Sequence, residues 1–324
     1  MAYHGFNGLG SEVVQPFATI LGKMDSAYFS IALPQDYRIQ DVLAFHGRDT
    51  QSVAEQVSPA RIRKGVLLDG IPIVLDIALT ASIATCRVQA DATLSAAAKG
   101  QAHGALRNML GLRIDPAPFA ALTQDDPVMG SLVRAQPGLR IIQSATPFEA
   151  LTWAIIGQQI NLPFAIALRR SFILQAGRRH SSGLWCYPEA FDVARLELAE
   201  LTCRKFSRAK AETLLRLARL VDSSGLTLAL PPSGDVAPVS SALLAIKGIG
   251  PWTVNYALLR GYGYADCSLH GDVAIRTALQ RLLGEPARPE IARTEKWLAH
   301  YAPQRTMAAA HLWASLQQRP GSKE

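Results

Sequence analysis

Two helical patterns separated by a short glycine-containing turn constrain the fold of this 324-residue chain more than any other feature. Ser240 to Ile246 and Pro251 to Arg260 have helical apolar spacing, and Lys247-Gly248-Ile249-Gly250 lies between them. The glycines predict a turn too tight for Cβ atoms, and Pro251 suits the first position of a helix. Such a turn leaves backbone N–H groups free to bind an anion such as a DNA phosphate. Taken alone, these residues favour an ordinary corner in which the glycines serve packing.

Further segments favour the phosphate-binding interpretation. They are Ile155 to Ile160 (IIGQQI), Leu243 to Tyr256 (LLAIKGIGPWTVNY), Leu269 to Val273 (LHGDV), Pro303 to Arg305 (PQR) and His311 to Trp313 (HLW). Together they resemble the helix-hairpin-helix DNA glycosylase superfamily, and within it the bacterial 3-methyladenine DNA glycosylase II branch. The resemblance covers roughly Pro34 to Leu316.

Asp272 stands where this superfamily has its catalytic aspartate, so the resemblance implies that role. Cleavage of an N-glycosidic bond gives the sugar oxocarbenium character. A nearby carboxylate stabilises that charge or deprotonates the attacking water. An aspartate at a helix start is also a good N-cap, and without the hairpin before it Asp272 would be assigned only that role.

The resemblance also implies an aromatic pocket for the flipped base, formed by Trp252, Tyr256, Trp313 and Phe45. Trp252 and Tyr256 lie four residues apart and share a helix face. Electron-rich rings attract cations, and an alkylated purine such as 3-methyladenine carries positive charge. The alternative is that these aromatic side chains belong to the hydrophobic core, and this alternative is strongest for Tyr256.

DNA contacts are predicted in the loop before the hairpin, in the hairpin and at the last helix. The predicted DNA-binding residues are Gln158, Gln159, Ile160, Lys247, Gly248, Ile249, Gly250, Thr253 and Arg305, with Arg260 as a further candidate for phosphate contact. Such enzymes swing a nucleotide out of the duplex and fill the gap. The branch often has a leucine wedge where this chain has Gln159, and Ile160 is the apolar alternative. Val273 is a second departure, because an aromatic residue often follows the catalytic aspartate.

The same segments disfavour lyase and metal chemistry. Bifunctional relatives have a lysine two residues after the second hairpin glycine, where this chain has Trp252, so monofunctional hydrolysis is expected. The four cysteines are too dispersed for a zinc or iron–sulfur site, and no metal or redox cofactor is expected. These cysteines are Cys86, Cys186, Cys203 and Cys267. The resemblance implies only a monovalent cation at the hairpin carbonyls.

The expected fold class is α+β. The resemblance implies a small antiparallel-sheet TATA-binding-protein-like N-terminal domain followed by an all-helical helix-hairpin-helix glycosylase domain. Strands are predicted at Ala60 to Leu67, Ile71 to Leu79 and Ile83 to Leu94. Asp69-Gly70 is predicted to form a hairpin turn, and Pro72 to weaken its strand or place it at an edge. The predicted domains are an N-terminal extension (1–33), the α/β TATA-binding-protein-like domain (34–113) and the all-helical domain (114–324).

The charge balance fits a polyanionic partner. The chain has 33 Lys and Arg against 26 Asp and Glu, a formal charge of +7. Double-stranded DNA containing damaged bases is the expected partner. No apolar run is long enough to span a membrane, and Met1 to Gly10 lacks a secretory pattern. A cytoplasmic, nucleoid-associated monomer is therefore expected.

These features predict a monofunctional DNA glycosylase of base excision repair. It would flip out alkylated purines of the 3-methyladenine and 7-methylguanine type, hydrolyse the N-glycosidic bond and leave an abasic site. Gln159 and Val273 leave open the same chemistry on uracil, hypoxanthine or an oxidised purine. A non-catalytic DNA-binding protein is the other alternative, and the position of Asp272 counts against it.

Overall fold

An antiparallel sheet of five strands forms the first part of the chain in the computed structural model, which describes residues 26–230 and 233–316. The strands are β1 (Ser26–Ala32), β2 (Glu55–Ser58), β3 (Arg61–Leu68), β4 (Ile71–Leu79) and β5 (Ile83–Ala90). They lie in the order β1-β5-β4-β3-β2, so β4 is the central strand. Helices α1 (Ile39–His46) and α2 (Ala96–Met109) bury their apolar side chains against this sheet.

The predicted β3–β4 hairpin is confirmed together with its turn. Asp69 and Gly70 have φ of 52° and 72°, the positive values that a type I′ turn requires. Pro72 lies opposite Leu67, before pairing of β4 with β5 begins at Ile73. The expected edge position for Pro72 is wrong, because β4 is the central strand. The sheet accommodates the proline because Pro72, which lacks an N–H, lies before the first residue of β4 that pairs with β5.

Strand β1 lies within residues 1–33, which the sequence assigned to an extension. It pairs with β5 along its whole length, from Ser26 opposite Gln89 to Ala32 opposite Ile83. Residues 26–32 are therefore part of the sheet, whereas residues 1–25 of the predicted extension lie outside the described residues. The available signal was the alternation of apolar Phe29 and Ile31 with Tyr28 and Ser30, a period of two that is typical of a strand.

Helices dominate the rest of the chain. They are α3 (Ala117–Leu122), α4 (Met129–Arg134), α5 (Pro147–Gly157), α6 (Leu162–Ala176), α7 (Ala190–Ala194), α8 (Leu198–Thr202), α9 (Arg208–Asp222), α10 (Ala237–Leu244), α11 (Pro251–Ala257), α12 (Val273–Leu283), α13 (Ile291–Ala299) and α14 (Arg305–Ser315). A two-stranded ladder of β6 (Arg178–Arg179) and β7 (Trp185–Cys186) is an exception to the expected all-helical second part. Hydrogen bonds of Tyr187 with Gly65 (3.1 Å) and Leu67 (3.2 Å) attach it to β3.

Local signals set the two helix ends that create the loop before the hairpin. The sequence Thr146-Pro147-Phe148-Glu149 predicts a helix start, with Thr146 as N-cap and Pro147 at the first helical position. The structure confirms it, because Thr146 caps α5 by accepting a hydrogen bond from the Glu149 N–H. Asn161 caps α6 by accepting from the Phe164 N–H. The apolar stretch therefore breaks between Gly157 and Leu162 and exposes a short loop.

Two hydrophobic clusters stabilise the described residues. One lies between the sheet, α1 and α2, and the other lies among the helices of the second part. Cys86, Cys186 and Cys267 are buried, Cys203 is exposed, and all four are free thiols. Within 26–230 and 233–316, no helix is both long enough and apolar enough to cross a membrane.

A buried ion cluster joins the sheet to the helices. Lys64 on β3 donates to Glu55 on β2 (2.6 Å) and to Glu149 on α5 (2.5 Å). Arg169 on α6 contacts the same two carboxylates at 2.7 and 2.6 Å. Burial alone would raise the pKa of both carboxyl groups, but the charges of Arg169 and Lys64 lower them below their ordinary values. We call these four residues the interface ion cluster.

We predict that Lys64→Met lowers the free energy of unfolding by about 3–5 kcal/mol, because it leaves a buried carboxylate uncompensated. Urea unfolding measures the change. The control is Arg208→Met, which breaks the exposed Arg208–Glu212 pair on α9 (2.8 Å). The control should change the free energy of unfolding by less than about 1 kcal/mol. Equal effects of the two substitutions would contradict a structural role for the cluster.

Candidate active site

The two glycines of the hairpin turn are needed for different reasons. Gly248 has a φ of +97°, and a Cβ atom there would lie 2.1 Å from the Thr213 hydroxyl oxygen. Gly250 is the N-cap of α11 with extended backbone, and a Cβ atom there would meet open space. Packing therefore requires glycine at position 248. At position 250 no described protein atom lies close enough to require glycine. Close approach of an external anion to the backbone would require it.

Gln158 connects the loop before α6 to the hairpin. Its Nε2 donates to the carbonyl of Gly248 (3.0 Å) and to the hydroxyl of Thr253 (2.9 Å). The side chains of Thr253 and Ile249 are buried, whereas Lys247 is exposed. Within the predicted DNA-binding set, Gln158 and Thr253 therefore hold the two loops together from inside.

Gln159 forms the exposed tip of the loop. Its φ is +56°, a conformation uncommon for a residue with a Cβ and typical of strained positions at functional sites. Ile160 is half-buried and packs against the helical core. The geometry favours Gln159 over Ile160 as the side chain that extends beyond the protein surface.

Three N–H groups hold the carboxylate of Asp272. Its Oδ1 accepts from the backbone N–H of Ile275 (2.9 Å), which caps α12, and from Nε1 of Trp313 (3.2 Å). Its Oδ2 accepts from Nε1 of Trp252 (2.9 Å). A carboxylate has about four acceptor positions, so one position on Oδ2 stays available for a water or a sugar. Asp272 therefore does cap α12, and its carboxylate can still accept a further hydrogen bond.

The three helical aromatic residues of the predicted pocket meet beside Asp272. Trp252 and Tyr256 stack with ring centroids 5.1 Å apart, and Trp313 meets Tyr256 edge-on at 6.3 Å. All three are half-buried, which leaves ring surface open. Trp153 on α5, which the sequence did not indicate, donates its indole N–H to the Tyr256 hydroxyl (3.0 Å). That bond fixes Tyr256 from behind.

Two arginines link Phe45 to the other rings. The guanidinium carbon of Arg260 lies 5.0 Å from the ring centroid of Phe45, 5.8 Å from Tyr256 and 5.7 Å from Trp313. Arg48 lies 3.9 Å from the Phe45 centroid. A π-helical turn over Leu258–Tyr262 carries Arg260, and such turns often occur at functional sites.

The structure therefore places Arg260 among the pocket rings rather than with the phosphate-contacting side chains expected from the sequence. Arg48 was not selected at all, although its position three residues after Phe45 was an available signal. The sequence around Arg260 has a regular helical pattern, which does not indicate the π-helical turn that brings Arg260 to the rings.

Two other predicted positions lie at the margin of the site. Arg305 forms a two-pronged ion pair with Asp266, at 2.6 and 2.7 Å, and thereby anchors the start of α14, which carries Trp313. A DNA contact by Arg305 stays a prediction. Val273 is 58% exposed, so it leaves the side of the site next to Asp272 open.

The hairpin carbonyls that would bind the implied monovalent cation already accept hydrogen bonds. Arg216 donates to the Lys247 carbonyl at 3.0 Å, and Gln158 donates to that of Gly248. A cation would share or displace these donors, and its presence stays a prediction. In the part of the chain that the structure describes, no three His, Cys, Asp or Glu side chains cluster as metal ligands.

Comparisons with known proteins agree with this geometry. No protein-family model matches the chain. A Bacillus subtilis DNA-3-methyladenine glycosylase is 32% identical over 178 residues, covering 54% of this chain and 59% of that relative. The chain thus spans about three fifths of the relative's length.

Solved structures match a larger share of the chain. The 3-methyladenine DNA glycosylase of Archaeoglobus fulgidus superposes with a TM-score of 0.75 at 18% identity, covering 89% of this chain and 98% of that one. The Clostridium acetobutylicum 8-oxoguanine glycosylase/lyase in complex with double-stranded DNA gives 0.67 at 13% identity, covering 91% and 98%. The fold is therefore that of the helix-hairpin-helix DNA glycosylases. The predicted resemblance to 3-methyladenine DNA glycosylases is confirmed by the sequence match.

We predict that Gly250→Ala leaves the free energy of unfolding within about 1 kcal/mol of the original chain, because the backbone is extended and the space is open. DNA binding should nevertheless weaken if a phosphate approaches this Cα. Gly248→Ala is the matched control and should destabilise the fold, because of its positive φ and the Thr213 contact. Urea unfolding and a salt-controlled DNA titration separate the effects. Unchanged DNA affinity in Gly250→Ala would show that no phosphate approaches this position.

Proposed function

We propose that the chain is a monofunctional DNA glycosylase that excises alkylated purines from double-stranded DNA. The observation that carries the proposal is the carboxylate of Asp272, held between the indole N–H groups of Trp252 and Trp313 with an acceptor position left over. A binding-only protein has no use for a carboxylate beside open aromatic rings. The similarity to 3-methyladenine DNA glycosylases supports the same reaction.

The proposed reaction begins with extrusion of the damaged nucleotide. Gln159 enters the duplex from the exposed loop tip and fills the space that the nucleotide leaves. Its amide has both a donor and an acceptor for the unpaired partner base. Backbone N–H groups at Gly250 and the exposed Lys247 bind phosphates and keep the strand close to the hairpin.

Bond cleavage then follows beside Asp272. As the C1′–N bond lengthens, its electron pair moves to the base and positive charge develops on the sugar. The carboxylate stabilises that charge, and its free Oδ2 position accepts a proton from the attacking water. The water oxygen bonds to C1′, leaving an abasic site and the free base. An alkylated purine leaves as a neutral base, and the ring faces of Trp252 and Trp313 attract its initial positive charge.

We further propose that the protein acts as a monomer on chromosomal DNA in the cytoplasm. Its formal charge of +7 favours binding to a polyanion. The DNA complex of the structurally similar Clostridium acetobutylicum enzyme supports duplex DNA as the partner. Analytical ultracentrifugation with and without a duplex would test the stoichiometry.

We predict that Asp272→Asn retains DNA binding and loses base release. Asparagine keeps an oxygen that can cap α12, but it removes the negative charge that opposes the sugar cation. The assay follows free 3-methyladenine and 7-methylguanine released from methylated duplex DNA by both proteins. Equal release by the variant would exclude Asp272 from catalysis. If the original chain binds this DNA and releases no base, the proposed function itself is wrong.

We predict that Gln159→Ala slows base release from a duplex more than it slows release from a single strand, because only the duplex leaves a gap to fill. Ile160→Ala is the comparison, since Ile160 packs against the helical core instead of extending outward. Single-turnover release rates on both substrates give the ratio. A larger duplex-specific loss in Ile160→Ala would assign the wedge to Ile160.

A further inference from the structure

The two faces of the five-stranded sheet have different surroundings. The inner face packs against α1 and α2 and supplies the strand residues of the first hydrophobic cluster. On the outer face, the segment that carries β6 and β7 lies against the end near Gly65 and Leu67, where Tyr187 bonds to both. Away from that segment the outer face is open, and four of its small side chains are exposed: Ser30, Ser58, Ala78 and Thr85.

A single row of outward-facing residues crosses all five strands. Tyr28 on β1 lies opposite Arg87 on β5, and Asp76 on β4 lies between Arg87 and Arg63 of β3. Gln56 on β2 completes the row. Neighbours of these residues along the strands pack in the inner cluster, so the row itself projects from the outer face. Three strand spacings separate Tyr28 from Arg63, a distance of roughly 14 Å.

The row has more positive charge than its one carboxylate compensates. Both oxygens of Asp76 accept hydrogen bonds from Arg61, at 2.6 and 2.5 Å. Arg63 donates only to the neutral amide oxygen of Gln56 (2.8 Å). Arg87 has no hydrogen bond or ion pair to any described residue, and its guanidinium carbon lies 5.9 Å from the ring centroid of Tyr28. Tyr28 is 57% exposed, so its ring is open to solvent.

The β6–β7 ladder repeats this pairing of an arginine with an aromatic ring. The guanidinium carbon of the exposed Arg179 lies 5.8 Å from the ring centroid of half-buried Trp185. The backbone of Trp185 lies against Gly65 of β3, so the ladder adjoins the row. The carboxylate of Asp91 contacts His180 (3.2 Å) and forms no ion pair with Arg179. Five of these side chains form what we call the outer-face patch: Tyr28, Arg63, Arg87, Arg179 and Trp185.

Protection of the sheet edges does not explain these arginines. Charged side chains commonly prevent exposed edge strands from pairing with other chains. The edge strands here are β1 and β2, whereas Arg63 and Arg87 lie on the internal strands β3 and β5. Uncompensated guanidinium groups beside open aromatic rings instead have the chemistry that binds phosphates and stacks bases.

We propose that the outer-face patch is a second nucleic-acid site, which binds single-stranded DNA. Arg63, Arg87 and Arg179 bind phosphates, and unpaired bases stack on the rings of Tyr28 and Trp185. A single strand fits this surface because its bases are free to lie on a ring, whereas a duplex keeps the faces of its bases stacked inside. The width of the row accommodates a strand of several nucleotides.

The patch and the aromatic pocket lie on opposite faces of the sheet. Phe45 of the pocket belongs to α1, which packs on the inner face. A strand on the outer face therefore leaves the pocket open to a duplex. This inference goes beyond the proposed function and does not depend on it, because binding of a strand requires no base release. Where a lesion lies near an unpaired stretch, the patch holds that stretch while the duplex occupies the pocket.

The test is binding of a fluorescent oligothymidylate of about 16 nucleotides to protein already occupied by an equimolar, unlabelled abasic-site duplex. Thymidylate does not pair with itself, so this probe stays single-stranded. We expect the probe to bind with the same affinity in the presence and absence of the duplex. Fluorescence anisotropy measures that affinity over a series of salt concentrations.

The decisive variant combines Arg63→Gln with Arg87→Gln. It should weaken probe binding roughly 10- to 100-fold, because charge-assisted hydrogen bonds to phosphate are lost. The slope of log affinity against log salt concentration should become shallower by about 0.7 for each arginine. Tyr28→Ala should weaken binding roughly 5-fold or more and leave the slope unchanged, because stacking releases no counterions.

The control variant combines Arg195→Gln with Arg208→Gln. It removes the same charge from two exposed positions outside the patch, and Arg195 also lies over an aromatic ring, 3.3 Å from the Phe191 centroid. This variant should bind the probe as the original chain does. Thermal unfolding of each variant establishes that it is folded.

Displacement of the probe by the abasic-site duplex would overturn the inference, because the probe would then occupy the duplex site. Equal losses in the two double variants would also overturn it, since only the total charge would matter. Neither result bears on the proposed function, which is measured separately by release of 7-methylguanine from a duplex. The patch variant should release this base at the original rate. Absence of release by every protein would refute the proposed function and leave the patch unaffected.

Discussion

The interface ion cluster is the constraint on which the pocket depends, because the pocket draws residues from both parts of the chain. Lys64 and Glu55 belong to the sheet, and Glu149 and Arg169 belong to the helices. Asp49, next to Arg48, adds a further ion pair to Arg170 on α6 (2.6 Å). These contacts fix the segment after α1 against α5 and α6. Phe45 and Arg48 are thereby held opposite rings that come from α11 and α14.

The geometry of the helical side of the site depends on the hydrogen bonds that the two carboxylate oxygens of Asp272 accept. The backbone N–H of Ile275 fixes the carboxylate at the start of α12, and the two indole donors fix its rotation. Those indoles belong to α11 and α14, so the carboxylate also sets the distance between the two pocket walls. The fold thus positions this carboxylate through the helix cap and the two indoles together.

The sequence predicted the parts of the site that depend on short local patterns. The glycine turn, the Thr146 cap and Asp272 at a helix start each require neighbours only a few residues away, and the structure has all three. It did not predict the hydrogen bonds that hold these parts together across the chain. The hydrogen bonds from Gln158 to Thr253 and from Trp153 to Tyr256 join residues far apart in sequence.

The arginines of the pocket illustrate a second limit. Arginines are usually solvated, so the sequence analysis assigned Arg260 to the phosphate contacts and gave Arg48 no role. Only their contacts with the half-buried ring of Phe45 and the π-helical turn reveal them as pocket residues.

Opposite charges lie at the two ends of the aromatic pocket. Asp272 lies at one end, whereas the guanidinium groups of Arg48 and Arg260 lie against the ring of Phe45 at the other. In the proposed reaction the carboxylate opposes positive charge on the sugar, which develops in every glycosidic cleavage, so its contribution is the same for all lesions. Under the same proposal, discrimination among bases depends on the groups that lie beside the base, which are the pocket rings and the two arginines.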